Sequence, residues 1–194
     1  MIVTLVRHGE VEAAYRRCYN GHNDIGLSPQ GKEQAQTLAR RLEDHVFDAV
    51  FCSDLRRCRE TLEPIIEERR LQTGDVIYTP KLREKSWGRH EGMSFDAIVE
   101  EEALKYEGFL QWITALDGEP YDAYISRIEA FFTRELPQQP YEKVLVVTHA
   151  GVIRVLMHLL QNISLEAAFS VDFPYSAYTV LDTSNWEFGA VQCV

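Results

Sequence analysis

The chain has 194 residues, 45% of them hydrophobic and 26% charged, the composition of a globular protein long enough to bury a sizeable core. It contains no run of about 18 apolar residues that could cross a membrane, and a net charge of −10 sets its surface against nucleic acid and anionic lipid. Cys18, Cys52, Cys58 and Cys193 form no CxxC pair and no cysteine–histidine ladder, which argues against structural zinc and a disulfide framework. The expectation is a reducing, cytoplasmic setting with no signal peptide.

Ile2 to Val6 is short and β-branched and reads as a buried strand. It runs into Arg7-His8-Gly9-Glu10, where Gly9 would let the chain turn and a ligand come close. Residues 11–27 contain Arg16, Arg17, Asn20, Gly21, His22 and Asp24 without clear periodicity and read as a long functional loop. Ser28-Pro29 joins an N-cap to a proline at the first helical position, and Ala35, Leu38, Ala39, Leu42 and Val46 follow at helical spacing. Ala49 to Cys52 is a second short strand, ending in Ser53-Asp54-Leu55-Arg56-Arg57. Asp54 is placed to cap a helix with Leu55, Cys58, Leu62, Ile65 and Ile66 on one face and Arg57 in its first turn.

Val76 to Tyr78 is a third, weaker strand, and Leu82-Arg83-Glu84 opens an irregular stretch that reaches Gly92. Helical patterns follow over 94–104 and 106–115, and a clearer one from Tyr121 to Leu136 carries Tyr124, Ile125, Ile128, Phe131 and Phe132 on one face. Lys143 to Thr148 is the best strand and ends in Thr148-His149-Ala150-Gly151. Val152 to Leu160 is apolar on most sides, a buried helix. Ala177 to Leu181 and Phe188 to Val194 read as one or two final strands, which leaves little chain to fold back over His8. Strands alternating with helices predict an α/β fold, a three-layer α/β/α sandwich around a mostly parallel sheet. Residues 1–194 are expected to form a single domain, with residues 85–120 as a helical cap over the site.

Three strand ends carry matching chemistry: Arg7-His8, Ser53 with Arg57, and His149; Glu84 follows the weaker strand. Carboxyl ends of parallel strands are where open α/β sheets bind ligands. With their flanks, these stretches resemble the histidine phosphatase superfamily, the phosphoglycerate mutase-like proteins. Leu5-Val6-Arg7-His8-Gly9-Glu10 matches the signature of that family. Gly21 to Ser28 with Gly31 and Gln34-Ala35, Ser53 to Thr61, Leu82-Arg83-Glu84 with Gly88 and Glu91-Gly92, and Val147 to Arg154 are similar to its other blocks and stand in family order. The chain departs from the pattern twice. Glu12-Ala13-Ala14-Tyr15 lacks an asparagine that many mutase-type members carry, leaving Arg16, Asn20 or a backbone amide near Gly21 to replace that phosphate ligand. Glu119-Pro120 stands where relatives often have glutamate-serine.

The resemblance implies a phosphoglycerate mutase-like fold and a phosphomonoesterase that needs no metal and no cofactor. The residue types suit that chemistry. Arginine forks hold phosphoryl oxygens by charge-assisted hydrogen bonds, and a neutral imidazole can attack phosphorus and split one displacement into two. In this reading His8 is the nucleophile and Arg7 and Arg57 clamp the phosphoryl oxygens. His149, as a protonated imidazolium, stabilises developing charge, and Glu84 protonates the leaving oxygen and then activates water. Asn20, Gly21, Arg16 and Ala150 are the candidate substrate-binding residues, and the helix after Asp54 would direct N–H groups at the phosphate.

His22, His45, His90 and His158 read as solvated or structural. Trp87, Arg89, His90 and Trp112 either line a substrate pocket or pack in a core. The chain's size and the Tyr19-to-Ser28 block are similar to the alpha-ribazole phosphatase branch of the family, which makes alpha-ribazole phosphate the expected small-molecule partner. The alternatives are a phosphoglycerate mutase and a non-catalytic member that binds phosphorylated ligands. Either a monomer or a homodimer fits.

Overall fold

The computed structural model describes residues 1–69, 75–102 and 108–194. Its centre is a six-stranded sheet in which β1 (Ile2–Arg7) lies beside β4 (Lys143–Thr148). β2 (Ala49–Ser53) and β3 (Val76–Thr79) extend the sheet past β4, and β5 (Tyr178–Asp182) and β6 (Glu187–Phe188) extend it past β1. The strand order is β3-β2-β4-β1-β5-β6. β1 to β4 run parallel, while β5 pairs antiparallel with β1 and β6 antiparallel with β5.

The period-two alternation of the central strands builds two cores. Val3, Leu5, Ala49, Phe51, Val144 and Val146 face one layer; Val6, Val50, Cys52, Leu145 and Val147 face the other. α1 (Pro29–Arg41) and α2 (Arg56–Arg69) cover the second face with Leu38, Ala39, Cys58, Leu62 and Ile65. α5 (Tyr121–Glu129) and α6 (Ala150–Gln161) cover the first with Tyr124, Ile128, Val152, Ile153 and Leu156. Fully burying each Leu or Ile contributes about 1.5–3 kcal/mol, so a strand buried on both faces needs the near-continuous apolar run seen in Val144 to Val147. This is the sandwich expected from the alternating pattern.

The register of the sheet places the chemistry. Arg7 lies opposite Thr148 in the parallel β1–β4 pair, and Cys52 opposite Val147 in β2–β4. His8, His149 and Ser53 therefore leave the sheet side by side at its carboxyl edge.

Several boundaries differ from expectation. Ser28 does cap α1, its Oγ accepting from the Gly31 N–H at 3.0 Å, but that helix ends at Arg41 and Val46 lies beyond it, 66% exposed. Asp54 does not cap α2. Arg83 holds its carboxylate at 2.7 and 2.6 Å, and the Arg56 N–H is taken by Asp24 at 2.5 Å. The pattern from Tyr121 to Leu136 is α5 followed by a wider π-helical segment, Ala130–Glu135, and a tight turn, Leu136–Gln138, where Pro137 has no N–H for the helical ladder. The patterns over 94–104 and 106–115 are α3 (Phe95–Glu102) and α4 (Phe109–Ala115), the parts at 103–107 lying outside the described residues. The sequence reading missed α7 (Leu165–Phe169), which Ser164 caps but whose five residues are too short for a periodic signal. The last strand is only Glu187–Phe188, with Gln192 bridging to Tyr178. Among the described residues no helix is long and apolar enough to cross a membrane.

Candidate active site

His8 sits immediately beyond β1, 8% exposed. Its Nδ1 lies 2.8 Å from the Gly9 carbonyl, which can only accept, so Nδ1 carries the proton and Nε2 keeps a free lone pair. Burial, then the charges of Arg57 and Arg7, hold its pKa well below the usual histidine range. Gly9 acts differently from its expected role in ligand approach. A Cβ there would lie 2.7 Å from the Gly31 carbonyl, so the missing side chain lets β1 exit against the start of α1. The Gly9 N–H is fixed by Thr61 at 2.9 Å.

Arg7 and Arg57 were expected to act as a pair but occupy different places. Arg7 lines the cavity in front of His8. One of its Nη atoms donates to the Phe173 carbonyl at 2.5 Å and its guanidinium lies 3.9 Å from the centre of the Tyr175 ring, while its buried Nε has no protein partner among the described residues. Arg57 is 0% exposed and stands behind the cavity. It donates to the carbonyls of Asn23 (2.9 Å), Gly21 (2.7 Å) and Asn20 (3.4 Å) and through Nε to His149 Nδ1 at 3.3 Å. Three of its five N–H groups pin the loop and a fourth meets His149.

His149 corrects a second expectation. Burial, then Arg57, keeps its pKa well below the usual range, so the ring is neutral rather than an imidazolium. Nδ1 accepts from Arg57, which leaves the proton on Nε2, 2.9 Å from Ser53 Oγ. The ring meets His8 edge-on at 5.2 Å between centroids.

The candidate substrate ligands also divide. Ala150 and Asn20 line the cavity, but the Asn20 amide donates to the Tyr15 carbonyl at 2.6 Å and its oxygen accepts from Asn23 at 3.0 Å. Arg16 pairs with Glu10 at 2.7 Å and does not line the cavity. The Gly21 N–H is already satisfied at 2.7 Å by Glu91, a residue to which sequence reasoning gave no role. The same Glu91 carboxylate accepts from the backbone N–H groups of His22 (2.7 Å), Asn23 (3.4 Å) and Trp87 (2.9 Å). Glu91 and Arg57 thus hold the loop from opposite sides, the one by its N–H groups and the other by its carbonyls. Removing Glu91 leaves four part-buried donors without their acceptor, so Glu91→Ala is expected to cost about 2 kcal/mol, read as a lowered midpoint in urea unfolding. An unchanged midpoint would show that the loop does not need this clamp.

Glu84 lines the same cavity as Arg7. Gly151 N–H reaches its Oε2 at 3.0 Å, Lys85 N–H reaches Oε1 at 3.1 Å, and the Tyr124 hydroxyl donates to Oε1. A Cβ on residue 151 would come within 2.2 Å of Oε1, so Gly151 is what allows the start of α6 to receive this carboxylate. The helix N-terminus at the cavity is therefore that of α6, whose Ala150 and Gly151 line it; α2, the helix expected there, does not.

The cavity holds about 190 Å³ and is walled by Tyr19, Trp87, Tyr121, Tyr124, Phe169 and Tyr175 together with Arg154. Trp87 rests on buried Lys85, whose Nζ lies 4.3 Å from the ring centre, and Trp112 stands one layer back, donating to the Tyr19 hydroxyl at 2.6 Å. His90 is buried and accepts from the Asp117 N–H at 3.0 Å. The chain after α6 does return to the site: Phe169 and Tyr175 line it and Phe173 holds Arg7, contrary to the open edge expected from the tail. No group of three or more His, Cys, Asp or Glu among the described residues is placed to hold a metal ion.

Residues 3–193 match the family profile described as histidine phosphatase superfamily (branch 1). The chain is 32% identical over 188 residues to the adenosylcobalamin/alpha-ribazole phosphatase of Escherichia coli K12, covering 95% of this chain and 91% of that protein. It is 30% identical over 188 residues to a broad-specificity phosphatase of Saccharomyces cerevisiae, covering 92% and 77%. Among solved structures, the alpha-ribazole phosphatase of Shigella flexneri superposes with a TM-score of 0.84 at 29% identity, covering 100% of this chain and 96% of that one. By profile, by identity and by fold, the chain belongs to branch 1 of the histidine phosphatase superfamily.

Proposed function

We propose that the protein is a metal-independent phosphomonoesterase working through a phosphohistidine on His8. The observation that carries this reading is a neutral, tautomerically fixed imidazole facing a cavity that also presents a guanidinium with an unpartnered Nε and a carboxylate. Arg7 would bind the phosphoryl oxygens, with the start of α6, whose Gly151 N–H is committed to Glu84, adding the positive end of its dipole. Glu84 first takes up a proton from the entering ester monoanion or from solvent; His8 Nε2 then attacks phosphorus, the ester P–O bond breaks, and Glu84 gives that proton to the departing oxygen. Glu84 then takes a proton from water as the oxygen of that water displaces the histidine from phosphorus. Arg57 works from behind, fixing the loop and keeping His8 neutral by its charge. Of the proposed cap, residues 85–120, Trp87 lines the wall, while 103–107 lie outside the described residues.

Alpha-ribazole phosphate is the substrate candidate, supported by relatives that bear that name at about 30% identity. The test is phosphate release from para-nitrophenyl phosphate and alpha-ribazole phosphate in EDTA, run beside 3-phosphoglycerate with and without 2,3-bisphosphoglycerate. Release that survives chelation, with negligible conversion to 2-phosphoglycerate, is the expected result. Loss on chelation restored by magnesium would overturn metal independence, mutase turnover above phosphate release would favour the mutase, and no turnover at all would favour a binding protein.

A further inference from the structure

Tyr121 opens α5 and lines the same cavity as His8 and Glu84. It is 8% exposed, and its hydroxyl is buried with no hydrogen-bond partner among the described residues. An unmet buried hydroxyl is costly, so it favours a bound partner that can meet it. Its neighbour Tyr124, whose ring lies 5.7 Å away, has solved the same problem by donating to Glu84. Tyr121 thus lines the same cavity as the proposed proton donor and packs beside the tyrosine that is bonded to it. Its pKa is pushed far up by burial and by the Glu84 charge, so the group stays a neutral O–H that can both donate and accept. The negative field of Glu84 disfavours an anion at this spot. Around it the Tyr121 and Phe169 rings, 6.5 Å apart, and the ring of Trp87 offer flat apolar surface. In a cavity whose wall mixes these rings with the polar groups of Arg7, Asn20, Glu84 and Arg154, a placed hydroxyl with no protein partner among the described residues can select among ligands.

We infer that Tyr121 is a specificity-determining residue that hydrogen-bonds a second hydroxyl on the leaving alcohol. The substrate class it favours is therefore the phosphate monoesters of polyhydroxylated alcohols, sugar phosphates included, over simple alkyl phosphates. This inference rests on the phosphatase reading. The two ring faces suit the C–H surface of such an alcohol, and the hydroxyl supplies the contact that fixes its rotation about the ester bond.

Two matched pairs test it: glycerol 1-phosphate against propyl phosphate, and ribose 5-phosphate against tetrahydrofurfuryl phosphate, its hydroxyl-free counterpart. Wild-type kcat/KM is expected to favour the hydroxylated member of each pair by about 10-fold, the worth of one well-made hydrogen bond. Tyr121→Phe keeps the ring and removes only the hydroxyl, and it should bring both ratios close to one, the loss falling on the hydroxylated substrates. A merely structural role for Tyr121 would lower both members alike and preserve the ratios; that outcome, or ratios untouched by the substitution, overturns the inference. A wild type that hydrolyses none of the four, nor para-nitrophenyl phosphate, brings down the phosphatase reading and this inference with it.

Discussion

His8→Ala is expected to reduce phosphate release by on the order of 10⁴-fold or more, as loss of an attacking nucleophile does elsewhere, while thermal unfolding stays close to that of the wild type. The loss is large because no other described side chain at the site can take over. The two ring nitrogens of His149 are engaged by Arg57 and Ser53. Cys58 is buried, and its thiol is pushed up to about 12 by that burial, which leaves no thiolate to attack. The fold should survive because the His8 backbone N–H is held by Thr148 at 3.0 Å and its carbonyl by Ser176 at 3.1 Å, contacts that alanine keeps. Because burial and two arginines depress the His8 pKa, the ring does not protonate as pH falls through 6.5, so the wild type should show no loss of nucleophile there. Labelled phosphate trapped on the wild type should be stable to base and labile to acid, as a phosphoramidate is. An alanine variant with full activity would move the nucleophile elsewhere.

What could be read in the sequence was whatever local pattern dictates. Val3 to Val6 and Val144 to Val147 announce buried parallel strands, so residues just beyond them, His8 and His149, had to emerge at one edge. Ser28-Pro29 announced the start of α1. What could not be read was how side chains far apart in sequence spend their hydrogen-bonding capacity. Arg57 stands in a motif that invites a phosphate, yet three carbonyls of the loop that reaches over it take its donors. Glu91, 70 positions from Gly21, had already filled the amide assigned to substrate. The protonation of His149 depended on the same partner: a cation beside Arg57 in a buried place is disfavoured, and only the fold shows how close Arg57 comes. Tyr121, Phe169 and Tyr175 carry no motif; they are aromatics in a helix, a five-residue helix and a loop, and their convergence on one cavity is purely tertiary. Arg154 sat in a recognised block, and its position four residues into α6 could have placed it near the strand end.

Glu84→Gln should damage alkyl phosphates far more than para-nitrophenyl phosphate. A general acid matters in proportion to the basicity of the departing oxygen, and its loss typically costs 10²–10⁴-fold. An alkoxide needs the proton, whereas para-nitrophenolate leaves without it, so kcat/KM should fall by about that range on propyl phosphate and by well under it on the nitrophenyl ester. Glutamine nearly matches the shape of glutamate but has one accepting oxygen, so it keeps either the Gly151 N–H, now on Oε2, or the Lys85 N–H and Tyr124 hydroxyl, now on Oε1; the difference between the two esters, rather than the size of either loss, isolates the proton from the position. Tyr124→Phe provides the companion measurement. It leaves Glu84 its carboxyl and its two backbone donors but removes the hydroxyl that orients Oε1, and it should show the same dependence on leaving group in weaker form. Equal losses on both esters in Glu84→Gln would mean that Glu84 braces the turn into α6 rather than delivering a proton. The donor would then have to be sought among the other cavity groups, where the Tyr121 hydroxyl, strongly raised in pKa, and the Arg154 guanidinium are both poor acids.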